Sequence, residues 1–206
     1  MSLEAGSDAT VEIARRLAES SIQPQLIADL LDGMTHEQRV AAVRSLGRSE
    51  QRRLYEGVDG FRPLRLEHLV PPATGDFEPV RHFGKNTLPL FSHFEKRFCR
   101  PRGADAVKPG ELHGFNFQTM QPVTGPGYFV AHEDANRPEV LVDYNAVPSA
   151  HPKGWPTIRR NEAGLSRFVY GFMVDTLRRV SEHVSIGSAA RKGKDLGSWF
   201  ILCREP

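Results

Sequence analysis

The chain reads as an α+β protein in which short N-terminal helices precede an antiparallel, barrel-like β-sheet. Three observations predict this. Apolar residues recur at helical spacing from about residue 8 to residue 57, the period changes to two beyond residue 110, and no βα alternation of the kind a parallel sheet needs is present. With 206 residues, 39% of them apolar and 25% charged, the chain has room for one large domain or for a medium domain with an appendage. The expected division is a helical segment over 1–57, a Pro-rich linker over 58–76 and a barrel-like domain over 77–206.

In the first segment Val11, Ala14, Leu17 and Ala18 fall on one helical face behind the candidate caps Asp8 and Thr10. Pro24 starts a second helix carrying Ile27, Leu30 and Leu31, which Gly33 closes. Thr35 and Gln38 form a capping-box pattern ahead of Val40, Val43 and Leu46, with Gly47 as the stop, and Ser49 caps a fourth helix reaching Glu56. Short amphipathic helices of this kind are marginal alone, so they either cover the sheet or offer a face to a partner. Pro63, Pro71 and Pro72 then exclude a regular helix. After a short strand near 79–83, Asn86 or Thr87 is expected to cap a helix over 87–98. Its apolar face would be Leu90, Phe91, Phe94 and Phe98, with Glu95, Lys96 and Arg97 outside.

The strands follow the loop at 101–110. His113, Phe115, Phe117 and Thr119 share one face, and Gly125-Pro126-Gly127 turns the chain into a strand over 128–133. Val140, Val142 and Tyr144 share a face in the next strand, and Phe168, Tyr170, Phe172 and Val174 alternate in another. Runs at 183–190 and 196–204 flank Gly193. Six or so such strands suggest a curved meander or a closed barrel, with the segment 148–167 and its Trp155 as a lid or plug.

Composition excludes several function classes. Lys and Arg number 27 against 25 Asp and Glu, for a net charge of +2 without a basic tract, so nucleic acid is not implied. Charged residues at Glu4, Asp8, Glu12, Arg15 and Arg16 take the place of an apolar leader, and no apolar run approaches the roughly 18 residues of a membrane span, which together suggest a cytoplasmic protein. Cys99 and Cys203 lie far apart in apolar stretches and read as buried thiols. No phosphate-binding loop, dinucleotide turn or nucleophile elbow is present, so no cofactor is expected. His82, His93, His113, His132 and His151 lack metal-ligand spacing, and no metal is expected either.

The aromatic residues carry the functional expectation. Phe168-Val169-Tyr170-Gly171, the run Asp175 to Val180, Ser185-Ile186-Gly187 and the run Gly197 to Arg204 together resemble the closing strands of lipocalin-like (calycin) small-molecule-binding barrels. The resemblance covers the C-terminal strands and implies a barrel architecture. A barrel whose faces mix rings with isolated polar groups suits a small hydrophobic or amphipathic ligand. The expected lining is His113, Phe115, Phe117, Tyr144, Phe168, Tyr170 and Phe172. The alternative is an isomerase, dehydratase or cyclase with His113 as base and Tyr170 or Tyr144 as donor, Asp143 contributing only from a bulged strand. A third reading gives the function to the N-terminal helices as an interaction module or homodimer face.

Overall fold

The computed structural model describes residues 2–89, 92–117, 125–158 and 170–206, with side chains from Asp8 onward. Helices α1 (Ser2–Ala18), α2 (Pro24–Asp32), α3 (His36–Ser45) and α4 (Arg48–Gly57) come first, and a single turn, α5 (Leu66–Leu69), follows. The described strands are β1 (Val80–Asn86), β2 (His93–Cys99), β3 (Leu112–Phe117), β4 (Tyr128–Glu133), β5 (Val140–Asp143), β6 (Met173–Arg179), β7 (Val184–Arg191) and β8 (Lys194–Arg204). Each pairs antiparallel with the next, and β8 pairs with β1 from His82 opposite Arg204 to Asn86 opposite Phe200. The sheet therefore closes into a barrel of eight strands and leaves no edge.

Local chemistry sets most helix boundaries. Pro24 occupies the first turn of α2, and the capping box forms at α3, where Thr35 Oγ1 accepts from the Gln38 amide at 3.3 Å and Gln38 Oε1 accepts from the Thr35 amide at 3.0 Å. Two boundaries differ from expectation. α1 begins at Ser2, so Asp8 and Thr10 lie inside it; Gly47 precedes α4 and donates its amide to Glu50 Oε2 at 2.5 Å, which puts Ser49 within the first turn. Gly33 closes α2 as expected but stays right-handed, with φ −75°. In place of a glycine turn, a buried arginine takes carbonyls at the end of α2: Arg39 donates to Leu31 O and Met34 O, both at 2.8 Å. Arg53 does the same for Leu17 O and Glu19 O at the end of α1. A guanidinium there satisfies orphan carbonyls and sits at the negative end of the helix dipole.

The larger correction concerns residues 87–98. They do not form a helix, because 93–99 is strand β2, hairpin-paired with β1 from Val80 opposite Phe98 to Lys85 opposite His93. Leu90 and Phe91 lie outside the described residues. Phe94 and Phe98 are four residues apart, and that spacing shares a face in a helix and in a strand alike. Lys96 separates the two cases: a helix turns it away from both rings, whereas a strand sets it on their face. Asn86 makes a local turn, its Oδ1 accepting from the Leu88 amide at 3.0 Å.

The helices cover one sector of the barrel. Ile13, Leu17, Ile27, Leu31, Val43 and Leu54 form one cluster with the outward-facing Val184, Ile186, Ile201 and Cys203. Leu64, Leu66, Leu69 and Val70, from the segment read as a linker, pack with the inward-facing Val80, Phe98, Leu112, Phe129, Val140, Val142, Leu177 and Leu202. That cluster fills the end of the barrel where β8 finishes and β1 starts. Close approach inside the barrel needs a glycine at 187, where a Cβ would sit 2.3 Å from Phe200 Cζ.

His82 joins the closed end. It is 1% exposed, packs edge-on to Phe98 at 4.8 Å, and its Nε2–H donates to Leu69 O at 2.9 Å. Burial pushes its imidazole down from 6.5 to about 3, so the folded chain refuses a proton that the unfolded chain accepts. Stability is accordingly insensitive to this group above pH 6.5 and falls as the pH drops from 6.5 toward 3. The slope it adds is at most about 1.4 kcal/mol per pH unit. His82→Gln keeps a donor for Leu69 O without a titrating ring, and urea unfolding across that pH range is expected to show a shallower acid slope for the variant. The remaining slope includes His68 and His183, which burial also lowers.

Candidate functional site

Above the packed end, the interior holds one polar layer. Lys96 from β2, Asn116 from β3, Tyr144 just beyond β5 and Asp175 from β6 all face inward, each at most 5% exposed. Lys96 Nζ donates to Asn116 Oδ1 at 3.1 Å, to Asp175 Oδ2 at 3.0 Å and to the Tyr144 hydroxyl. Asn116 Nδ2 donates to Tyr144 Oη at 2.9 Å, and Tyr144 Oη donates to Asp175 Oδ2 at 3.1 Å. The ammonium also lies 4.9–5.0 Å from the ring centroids of Phe129, Tyr144 and Phe200. Three acceptors for three N–H groups, with three ring faces around them, offset the desolvation of a buried cation.

The electrostatics of this layer are those of a matched pair. Burial pushes the Lys96 ammonium down from its ordinary range and the Asp175 carboxyl up, while each partner's charge opposes the other's shift. Burial, and after it the adjacent Asp175 charge, holds the Tyr144 phenol well above its usual value, so it stays a protonated donor. An ammonium committed to three acceptors has no lone pair to offer as a nucleophile or base.

This layer lines a cavity of about 450 Å³ that extends to the open end of the barrel. Its upper wall is largely apolar, formed by Phe94, Tyr170, Met173, Ala189 and Phe200, and the exposed Leu88 and Leu196 stand at the mouth with Arg191. Tyr170 stacks on Tyr144 with centroids 5.3 Å apart and planes at 17°. The Gly125-Pro126-Gly127 segment, expected as a turn, instead extends the pairing with β3, the Asn116 amide donating to Pro126 O at 3.0 Å, and Gly127 makes room for the ring: its φ is +56°, and a Cβ there would lie 2.5 Å from Tyr170 Cζ.

Of the residues expected to line a pocket, Tyr144 and Tyr170 do so. His113, Phe115 and Phe117 face outward instead, because β3 turns Leu112, Gly114 and Asn116 inward. His113 contacts Glu111 Oε1 at 2.9 Å and Ala150 O at 3.2 Å. Phe115 packs on Tyr128 and Trp155, with centroids 5.5 and 4.7 Å away, in a cluster that also takes in Cys99, Val147 and Ile158. Phe117 is 43% exposed beneath the Arg97 guanidinium. Phe172 is 39% exposed, with φ +62°, beside Lys192. Phe168 lies outside the described residues. The catalytic alternative is likewise not assembled: His113 and Tyr144 point to opposite sides of the wall, and Asp143 faces outward to Asn145.

The chain matches no family model, no curated protein and no solved structure. Its site is therefore read from its own geometry. Lys96, Asn116 and Asp175 escaped the sequence reading, although a signal existed. Lys96 stands between Phe94 and Phe98, and Asp175 between Met173 and Leu177, each a charged residue at the centre of an apolar face of period two.

Removing one member of this pair leaves the other charge buried. Asp175→Leu is expected to cost about 3–5 kcal/mol of unfolding free energy, and Lys96→Met/Asp175→Leu much less, because the double variant removes both desolvated charges. Urea denaturation of both single variants and the double variant measures the coupling. Additive losses would show that the pair does not act as a unit.

Proposed function

We propose that this protein binds a small hydrophobic or amphipathic molecule inside its barrel, as a carrier or receptor without chemistry of its own. The observation that carries this reading is the cavity of about 450 Å³, walled by rings and aliphatic side chains and floored by a polar layer whose charges are already paired. Pockets that hold small molecules have this make-up: an apolar wall for affinity and a few fixed polar groups for orientation. Catalysis by general acid and base asks for a group free to exchange a proton near neutral pH. The Lys96 ammonium is engaged by three acceptors, and Tyr144 is held protonated by burial. Such a floor suits recognition better than turnover.

The test fills the cavity. Ala189 lies opposite Asp175 in the β6–β7 ladder and lines the cavity wall. Biphenyl, an uncharged hydrocarbon probe, is expected to bind the wild-type chain and raise its unfolding free energy by about 2.7 kcal/mol at a free concentration of 100 times Kd. Ala189→Trp is expected to keep the wild-type circular dichroism spectrum and to lose this binding in calorimetric titration. Equal affinity in the two proteins would place the hydrocarbon elsewhere and overturn the reading.

A further inference from the structure

The mouth of the cavity carries a charge that its floor does not. In the floor Lys96 and Asp175 balance each other 3.0 Å apart, and the three N–H groups of Lys96 are already given to Asn116, Tyr144 and Asp175. Asp175 is the only carboxylate among the described residues that line the cavity, against two cations, Lys96 and Arg191. In the β6–β7 ladder Arg191 lies opposite Met173, and Asp175 opposite Ala189. The second cation therefore stands two residues, roughly 7 Å of strand, closer to the mouth.

The hairpin that carries Arg191 is built against its own stability. Arg191 pairs directly with Lys194 across the β7–β8 ladder, and residues so paired project from one face, where like charges repel. Lys192, the first turn residue between them, has φ +52° and is followed by Gly193 at φ +74°, a two-residue turn that favours Asn or Asp at its first position. Asp195 is the only carboxylate on β7 and β8, and it takes the other face. It alternates with the cavity-lining Leu196 and accepts from the Ser188 hydroxyl at 3.4 Å and the Gly197 amide at 2.7 Å. Cations held in so unfavourable a turn, at the rim of an apolar cavity, are offset when an anion sits among them.

The geometry points to an amphipathic monoanion as the ligand, its apolar body on the rings of Phe94, Tyr170 and Phe200 and its carboxylate or similar oxyanion at the mouth, against Arg191 and Lys194. This deepens the binding reading and rests on it. The guanidinium fork matches two oxygens of such a head. Arg191 is half-buried and Lys194 exposed, so the head keeps part of its water there and escapes the desolvation it would meet at the floor. A cationic head would add a third like charge to a pair that already repels.

Calorimetric titration of the full chain with four probes of similar shape separates the possibilities: biphenyl, biphenyl-4-carboxylate, biphenyl-4-carboxamide and 4-biphenylmethylammonium. At low ionic strength the carboxylate is expected to bind at least about fivefold tighter than the carboxamide, which keeps the shape and loses the charge. Added salt is expected to narrow that preference, since the head is partly solvated. The ammonium is expected to bind less tightly than the carboxamide. A carboxylate no tighter than the carboxamide would overturn the anion inference while hydrocarbon binding stood, and so would an ammonium as tight as the carboxylate. Failure of all four to bind would overturn the binding reading itself. In Arg191→Gln/Lys194→Gln, shown to be folded by circular dichroism, the preference for carboxylate over carboxamide is expected to fall toward unity. Its persistence there would place the head elsewhere and overturn the assignment to the mouth.

Discussion

Lys96 and Asp175 meet because β8 pairs with β1. The two residues stand on β2 and β6, strands that share no ladder, and they reach each other across the interior at 3.0 Å only when the sheet is rolled shut. In an open sheet either side chain would face a solvated surface, where an ion pair contributes little. Closure changes the dielectric around them, so the pair must be complete, and completeness then fixes Tyr144 and Asn116 as its remaining partners. The cavity above and the packed core below are the two sides of that layer.

The two ends of the barrel are treated differently by the chain. At one end, residues before the first strand supply Leu64, Leu66, Leu69 and Val70 as a stopper, and His82 is drawn in neutral to hydrogen-bond the stopper's backbone. At the other end Phe94 and Phe200 meet edge-on, their centroids 6.0 Å apart, and with Tyr170 they wall a cavity. Glycines at 127 and 187 let those rings come close to the backbone, so that aromatic bulk shapes the cavity without filling it. A barrel of eight strands lies at the size where an interior is either packed solid or holds one small molecule, and this one does each in turn along its axis.

The outer surface explains why inside and outside were hard to tell apart in the strands. Four helices bury the outward Val184, Ile186, Ile201 and Cys203, while the segment with Val147, Trp155 and Ile158 buries the outward Cys99, Phe115 and Tyr128. Strands covered on both faces lose the clean alternation of apolar and polar residues that identifies the core side. On β3 the richer aromatic face, His113, Phe115 and Phe117, is the outer one, and the inner face carries Leu112, Gly114 and Asn116. A strand has only two faces, so choosing the wrong one misplaces every side chain on it together.

Much of the architecture nevertheless lies in local signals. Pro24, the Thr35 and Gln38 capping box and the alternation of Val140, Val142 and Tyr144 act over a few residues, and each appears in the structure where the sequence places it. These local preferences determine the α+β class and the antiparallel order, because neighbouring strands joined by short turns have few other ways to pair. What only the tertiary structure decided is which face turns inward and whom the buried charges meet. Lys96 looks like a solvated residue beside Glu95 and Arg97, and Asp175 carries no mark of a partner 79 positions away. The free energy of a buried charge depends on what surrounds it after closure, and that environment is assembled from strands distant in the chain.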